Sequence, residues 1–94
     1  MEITRAHLVR ATAGREKGKL FYVLDTDGDY LLLADGKSRK VEAPKRKKRK
    51  HASFIASDYG RVAGKIRESE KVTNSEIRKA IASYSGADNS DQEG

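Results

Sequence analysis

One stretch near the start of the chain combines residue types that bind phosphate in many enzymes. The sequence Gly14-Arg15-Glu16-Lys17-Gly18-Lys19-Leu20 has the glycines and the lysine of a phosphate-binding loop. That motif requires four residues between its glycines and a Ser or Thr after its lysine, whereas here three residues intervene and Leu20 follows. The stretch therefore does not predict nucleotide hydrolysis.

An acidic stretch and two histidines are the other candidates for reactive chemistry. Asp25-Thr26-Asp27-Gly28-Asp29 resembles the start of a calcium loop, but its glycine is the fourth residue instead of the sixth. His7 and His51 are far apart in the chain, and no hydroxyl has a recognisable base beside it. We expect neither an enzyme nor a carrier of a metal, a cofactor or a small-molecule substrate. Because the chain has no Cys, we expect a reducing compartment, the cytoplasm.

Positive charge is concentrated in the first half of the chain. The net charge is +6, and residues 1–51 hold 14 Lys or Arg against 7 Asp or Glu. Six of these cations are consecutive, from Lys45 to Lys50. Neighbouring cations repel one another unless water or phosphate screens them, so we expect a basic loop over residues 44–51 that contacts phosphate, with a merely solvated loop as the alternative.

The glycine loop adds to this charge and predicts contacts with phosphate. Arg15 and Lys17 should project from it, and its glycine amides should be free to meet phosphate oxygens. If the strands bring the basic groups to one end of the domain, they form a footprint for RNA. The predicted RNA-binding residues are Arg15, Lys17, Lys19, Lys37, Arg39, Lys40, Lys45, Arg46, Lys47, Lys48, Arg49 and Lys50. Of the aromatic residues, Phe21, Tyr22 and Tyr30 are expected in the core instead of stacked on bases.

Short strands separated by turns should position these groups. Residues 7–13, 20–24 and 30–34 are rich in strand formers, and Asp35-Gly36 is typical of a two-residue hairpin before a fourth strand over residues 37–42. Pro44 should end that strand, and residues 52–55 could add a fifth. The fold class is therefore mainly β. We expect a small SH3-like barrel of four to five antiparallel strands, in preference to an OB-like one.

The second and third strands are apolar on both faces, so one face must be covered from outside. Thr73-Asn74-Ser75-Glu76 is a capping box that begins a helix, and Gly86 should end it. The apolar stripe Ile77, Ala80, Ile81 and Tyr84 should pack on the sheet. The predicted layout is a barrel over residues 1–56, an irregular connection over 57–72, a helix over 73–85 and a disordered tail over 86–94.

Residues 8–23 resemble the KOW motif of ribosomal proteins and Nus-type elongation factors, and a wider likeness covers residues 7 to about 55. The likeness rests on Ala13-Gly14-Arg15-Glu16-Lys17-Gly18 between two strands, on the stretch around Asp35-Gly36, and on the basic residues after Pro44. It extends to small bacterial KOW-domain proteins related to a large-subunit ribosomal protein of archaea and eukaryotes. The resemblance implies an SH3-like barrel that binds RNA within or beside the ribosome.

We therefore expect a monomeric RNA-binding protein whose partner is ribosomal RNA, with ribosomal proteins as further neighbours and no membrane contact. The main alternative is a protein-interaction adaptor that uses the barrel or the stripe of the last helix. Other interpretations of the basic run are a nuclear-localisation-like peptide and a patch for anionic lipid. Against lipid, no amphipathic helix or acylation signal adjoins the run.

Overall fold

A computed structural model describes residues 2–57 and 60–93, with side chains as far as Tyr84. The strands are β1 (His7–Ala11), β2 (Leu20–Asp27), β3 (Tyr30–Ala34), β4 (Lys45–Lys48) and β5 (Ala52–Ser57). A 3₁₀ turn at Arg49–His51 joins β4 to β5, and the helices α1 (Arg61–Arg67) and α2 (Asn74–Glu93) follow. Within the described part of the chain, no helix has the length and apolar character needed to cross a membrane.

The fold is mainly β, with five antiparallel strands in one sheet and a C-terminal helix, as predicted. The strand order is β4-β3-β2-β1-β5. The expected barrel does not close, because β4 and β5 are not paired with each other in the sheet that the described residues form. The chain passes from one to the other through a three-residue 3₁₀ turn, so each strand remains an edge. The register shifts at Ile55 of β5 and Leu24 of β2 leave one extra residue on each strand, an arrangement typical of bulges that bend strands.

The third strand has the predicted bounds, but the predicted fourth strand over residues 37–42 is wrong. That segment is a loop, because the Asp35 carboxylate accepts hydrogen bonds from the Lys37 and Arg39 amides at 2.9 and 2.8 Å. Short acidic side chains compete with strand pairing in this way. β2 also runs on to Asp27, so the turn predicted over residues 25–29 is confined to Gly28 and Asp29.

The basic run is a strand, which corrects the predicted basic loop over residues 44–51. β4 pairs with β3 in the register Leu31↔Lys47 and Leu33↔Lys45. Pro44 precedes this strand instead of ending one. Lysine is favoured on sheet edges because its charge discourages pairing with another chain, which makes this placement physically reasonable.

Two apolar clusters lie on opposite faces of the sheet. On one face Val9, Phe21, Val23, Leu31 and Leu33 pack together, and all five are fully buried. The other face presents Leu8, Tyr22 and Ala34, which pack against residues of α1 and α2. The expectation that β2 and β3 are apolar on both faces, with a helix covering one of them, is therefore confirmed.

The connection predicted to be irregular contains a two-turn helix. In α1, Val62, Ala63 and Ile66 are buried in the cluster beneath the helices. Their burial outweighs the roughly 1 kcal/mol by which Gly64 disfavours a helix. Residues 58 and 59 of this connection lie outside the described residues.

The capping box that predicts the second helix is present. The Glu76 amide donates to the Thr73 hydroxyl at 3.1 Å, and the Thr73 amide donates to the Glu76 carboxylate at 2.9 Å. α2 continues to Glu93 instead of ending at Gly86. The predicted tail over 86–94 falls in this stretch, whose side chains lie outside the described residues. Along the predicted stripe, Ile77 is fully buried, Ala80 and Ile81 are half-buried and Tyr84 is exposed.

Glu76 should make stability depend on acid pH. Its pKa is lowered from 4.5 to about 2, first by a hydrogen bond from Lys65 on α1 and then by the Thr73 amide. A lowered folded-state pKa stabilises the fold above the unfolded value, and this contribution is lost as the pH falls from about 4.5 toward 2.

We expect the urea midpoint to fall over that range, and to fall less in Glu76→Gln. Glu70→Gln is the control, because it removes the charge of an exposed carboxylate between α1 and α2. This variant should leave the pH profile unchanged. If the urea midpoint of Glu76→Gln falls with pH as steeply as that of the native protein, the assignment of this pH dependence to Glu76 is wrong.

Candidate nucleic-acid interface

The glycine loop, Gly14–Gly18, is a tight turn between β1 and β2. Gly14 and Gly18 have φ angles of +83° and +92°, which side-chain-bearing residues rarely adopt. The Lys17 amide donates to the Gly14 carbonyl at 3.1 Å, and the Gly18 amide donates to the Ala11 carbonyl at 2.8 Å. Both amides are therefore engaged within the loop. The expectation that glycine amides meet phosphate does not hold for Gly18.

A buried carboxylate supports this loop from beneath. Glu16 is 7% exposed and accepts hydrogen bonds from the Arg39 guanidinium, from Nε at 2.8 Å and also from Nη2. The hydrogen bond from Arg39 is the main cause that lowers the pKa of Glu16, and the charges of Arg39, Lys45 and Lys47 add to it. Lys47 also donates to the Ala13 carbonyl at 3.0 Å. The loop is thus held by cations that sequence analysis had assigned to RNA.

Lys47 and Arg39 therefore have internal roles, which corrects their assignment as RNA contacts. Lys47 is 8% exposed because alternate residues of a strand point to opposite faces, and Lys45 and Lys47 point toward Glu16. Arg49 is also committed, since it donates to the Ile3 carbonyl at 2.6 Å and to the Gly28 carbonyl at 2.7 Å. Sequence alone gives no sign of these roles, because every residue in the run is Lys or Arg.

The outer side of the glycine loop is a surface of exposed cations. Arg15, Lys17 and Lys19 are exposed, and their side chains have no hydrogen-bond or ion-pair partner among the described residues. Lys37 and Lys40 are exposed on the neighbouring loop over residues 35–44. The Glu16–Arg39 ion pair joins these two loops. The prediction that both loops contribute cations at one end of the sheet is therefore consistent with their positions.

A groove beside the glycine loop adds two arginines that sequence analysis missed. It lies between the loop and α2, and Arg10, Lys19, Lys37 and Arg78 line it. Arg10 donates to the Gly18 carbonyl at 2.9 Å, and Arg78 donates to the Gly36 carbonyl at 2.7 Å. The position of Arg10 between the apolar residues Val9 and Ala11 of a strand, with both neighbours buried and Arg10 exposed, is the signal that would have identified it. Arg78 joins the groove only because α2 docks on the sheet. We call Arg10, Arg15, Lys17, Lys19, Lys37 and Arg78 the loop surface.

The rest of the basic run lies at the opposite end of β3. Lys48 is paired with Tyr30, next to the turn at Gly28 and Asp29. Arg46, Lys48 and Lys50 are exposed there, and Arg46 forms an ion pair with Asp27 at 3.2 Å. The single surface expected for most of the predicted cations is therefore divided in two. We call Arg46, Lys48 and Lys50 the edge surface.

The described residues form a positively charged surface, and few of them are arranged as a reactive site would require. No group of three or more His, Cys, Asp or Glu side chains that could hold a metal ion occurs among the described residues. His7 packs edge-on against Phe54, with ring centroids 5.1 Å apart, and its pKa is lowered by burial and then by the charge of Arg67.

Comparison with protein-family models and with curated proteins does not identify the chain. No protein-family model matches the sequence, and no curated protein matches it. Its binding chemistry is therefore inferred from its own side chains.

Proposed function

We propose that this protein binds structured RNA and that the loop surface makes the main phosphate contacts. The observation that carries the proposal is the construction of the glycine loop. Arg15 and Lys17 are exposed on it without partners in the described part of the chain, while Glu16 between them is buried against Arg39. The loop thus presents two cations on a rigid support. The support fixes the backbone positions of Arg15 and Lys17, so the spacing of the two cations is set before phosphate binds.

The charge distribution supports a polyanionic binding partner of regular shape. The chain carries a net charge of +6, and neutralising phosphates with Lys and Arg releases counterions, which is a major source of affinity. A-form RNA hides its base edges in a narrow major groove, so a surface of Lys and Arg contacts its backbone geometry. The loop surface acts as a clamp whose spacing is set by the sheet. It provides binding and no catalysis.

The resemblance of residues 7 to about 55 to KOW-domain proteins suggests which RNA. We take ribosomal RNA, in the cytoplasm, as the proposed partner, with ribosomal proteins as neighbours. The resemblance and the side-chain geometry both support RNA, and both depend in part on the glycine loop.

The adaptor function is less well supported. It would use either the surface of the strands or the apolar stripe of the last helix, and in that stripe Ile77 is fully buried and Ile81 is half-buried. Tyr84, 45% exposed, is the part of that stripe available to a partner protein. A single aromatic side chain is a small anchor, since stable interfaces bury a patch of about 800 Å² on each side.

The double substitution Arg15→Gln and Lys17→Gln tests the proposal. Each residue removed from a phosphate contact should reduce the slope of log Kd against log salt by about 1. We expect weaker binding to a fragment of ribosomal RNA with a stable stem, and a slope shallower by about 1 to 2. Salt titrations from 50 to about 200 mM, followed by fluorescence anisotropy, would measure both quantities.

The matched control is Arg61→Gln with Lys71→Gln, which removes the same charge from exposed positions outside the loop surface. The control should keep most of the slope, and circular dichroism should show that both variants are folded. Equal loss of slope in the two variants would mean that only net charge matters and would contradict the assignment of the loop surface. Replacing the whole run Lys45 to Lys50 is a poorer test, because Lys47 and Arg49 hold backbone carbonyls.

A further inference from the structure

The ring of Tyr30, at the start of β3, is stacked with Arg46 and belongs to neither apolar cluster. Tyr30 is half-buried at the start of β3 and is absent from both clusters, unlike Phe21 and Tyr22, which are fully buried. The Arg46 guanidinium carbon lies 3.8 Å from the centre of the Tyr30 ring. The expectation that all three aromatic residues are core residues therefore holds for Phe21 and Tyr22 and is wrong for Tyr30.

The contacts of Arg46 leave more than half of its side chain exposed. One face lies on Tyr30, and Nη2 at the edge of the group contacts the Asp27 carboxylate at 3.2 Å. The Arg46 side chain is nevertheless 55% exposed. The ring beneath is the contact that positions the guanidinium, and the exposed ion pair with Asp27 adds little to it. Planar guanidinium groups held in this way are platforms on which unpaired RNA bases stack.

A cleft next to this stack carries further positive charge. It is bounded by Tyr30, Lys48, Arg49 and Lys50, with Asp29 at its rim, and its volume is about 410 Å³. Lys48 and Lys50 are exposed, and their side chains have no partner among the described residues. Arg49 is fixed by the Ile3 and Gly28 carbonyls, so the cleft has a rigid wall.

We propose that the Arg46–Tyr30 stack receives one unpaired RNA base, while Lys48 and Lys50 hold the phosphates that flank it. This inference rests on the proposed function and adds to it the kind of RNA. The loop surface contacts a duplex backbone, and the edge surface requires an interruption in that duplex. The preferred ligand is thus an RNA stem with a bulge, in preference to a perfect duplex.

Two RNAs that share one stem test the inference. One is a blunt duplex, and the other carries a single unpaired adenine. We expect the native protein to bind the bulged RNA about tenfold more tightly, in the range that stacking of one base provides. Arg46→Lys keeps the charge but removes the planar group, and Tyr30→Leu removes the ring beneath it. Each variant should reduce the preference to below about threefold and leave affinity for the blunt duplex within about twofold.

Asp27→Asn is the matched control, because it removes the ion pair with Arg46 and retains the stack. It should keep a preference for the bulged RNA, and circular dichroism should confirm that all three variants are folded. Equal affinity of the native protein for the two RNAs, or a preference that persists in both Arg46→Lys and Tyr30→Leu, would overturn the inference and leave RNA binding intact. Failure of both RNAs to bind at physiological salt would overturn the proposed function itself.

Discussion

Replacing Gly36 by Ala is expected to weaken the docking of α2 and to lower the free energy of unfolding by about 2 to 5 kcal/mol. Gly36 is buried where the loop over residues 35–44 meets the first turn of α2, and its φ angle is +75°. A side chain there would collide with the Asn74 carbonyl oxygen and come within 3.1 Å of the Arg78 Cγ atom. Both the backbone strain and the collision oppose the native arrangement. Urea unfolding followed by circular dichroism measures the loss.

Gly28 provides a matched control for this prediction. Its φ angle is +61°, so Gly28→Ala imposes a similar backbone strain, but an added Cβ would meet nothing within 4 Å. We expect this variant to lose only about 1 to 2 kcal/mol. Equal losses in the two variants would show that backbone strain alone matters and that contact with α2 does not. Since Arg78 donates to the Gly36 carbonyl, Gly36→Ala should also disturb the groove and weaken RNA binding.

Truncation of Ile77 to Ala is the second large effect that we expect, a loss of about 2 to 5 kcal/mol. Ile77 is fully buried among residues of the sheet and of α1, so its removal leaves a cavity at the centre of that cluster. Urea unfolding monitored by circular dichroism measures the loss, and hydrogen exchange of α2 amides should become faster.

Tyr84→Ala is the comparison for Ile77→Ala, because Tyr84 lies on the same predicted stripe but is 45% exposed. We expect a change of at most about 0.5 kcal/mol there. A loss as large as that of Ile77→Ala would mean that the apolar stripe packs along its whole length, contrary to the burial seen here.

The two surfaces depend on this packing to different degrees. The loop surface includes Arg78, which reaches the groove only when α2 is docked. The edge surface lies on β4 and the 3₁₀ turn after it, and the pairing of β4 with β3 does not involve α2. Variants that detach the helix should therefore weaken duplex binding more than they alter the preference for an unpaired base. This difference gives the two proposed contacts separate experimental signatures.

Several features of the fold could be predicted from the amino-acid sequence alone, because they depend on residues close together in the chain. The bounds of β3, the capping box at Thr73 and Glu76, and the glycine loop follow from interactions within a few residues. The alternation of apolar residues in β2 also predicted two buried faces, because successive side chains of a strand point in opposite directions. The cationic character of both loops required no more than counting charges.

Only the tertiary structure decided which cations remain available. Arg39 pairs with Glu16, 23 residues away, and Arg49 reaches a carbonyl 46 residues away. Within the run, β4 turns Lys47 inward and Arg46 outward, although the two side chains carry the same charge. Strand alternation and contacts between distant residues therefore divide a uniform basic sequence into structural and exposed members. Charge is a property of the sequence, but the exposure that makes a charge useful for binding arises only when the sheet forms.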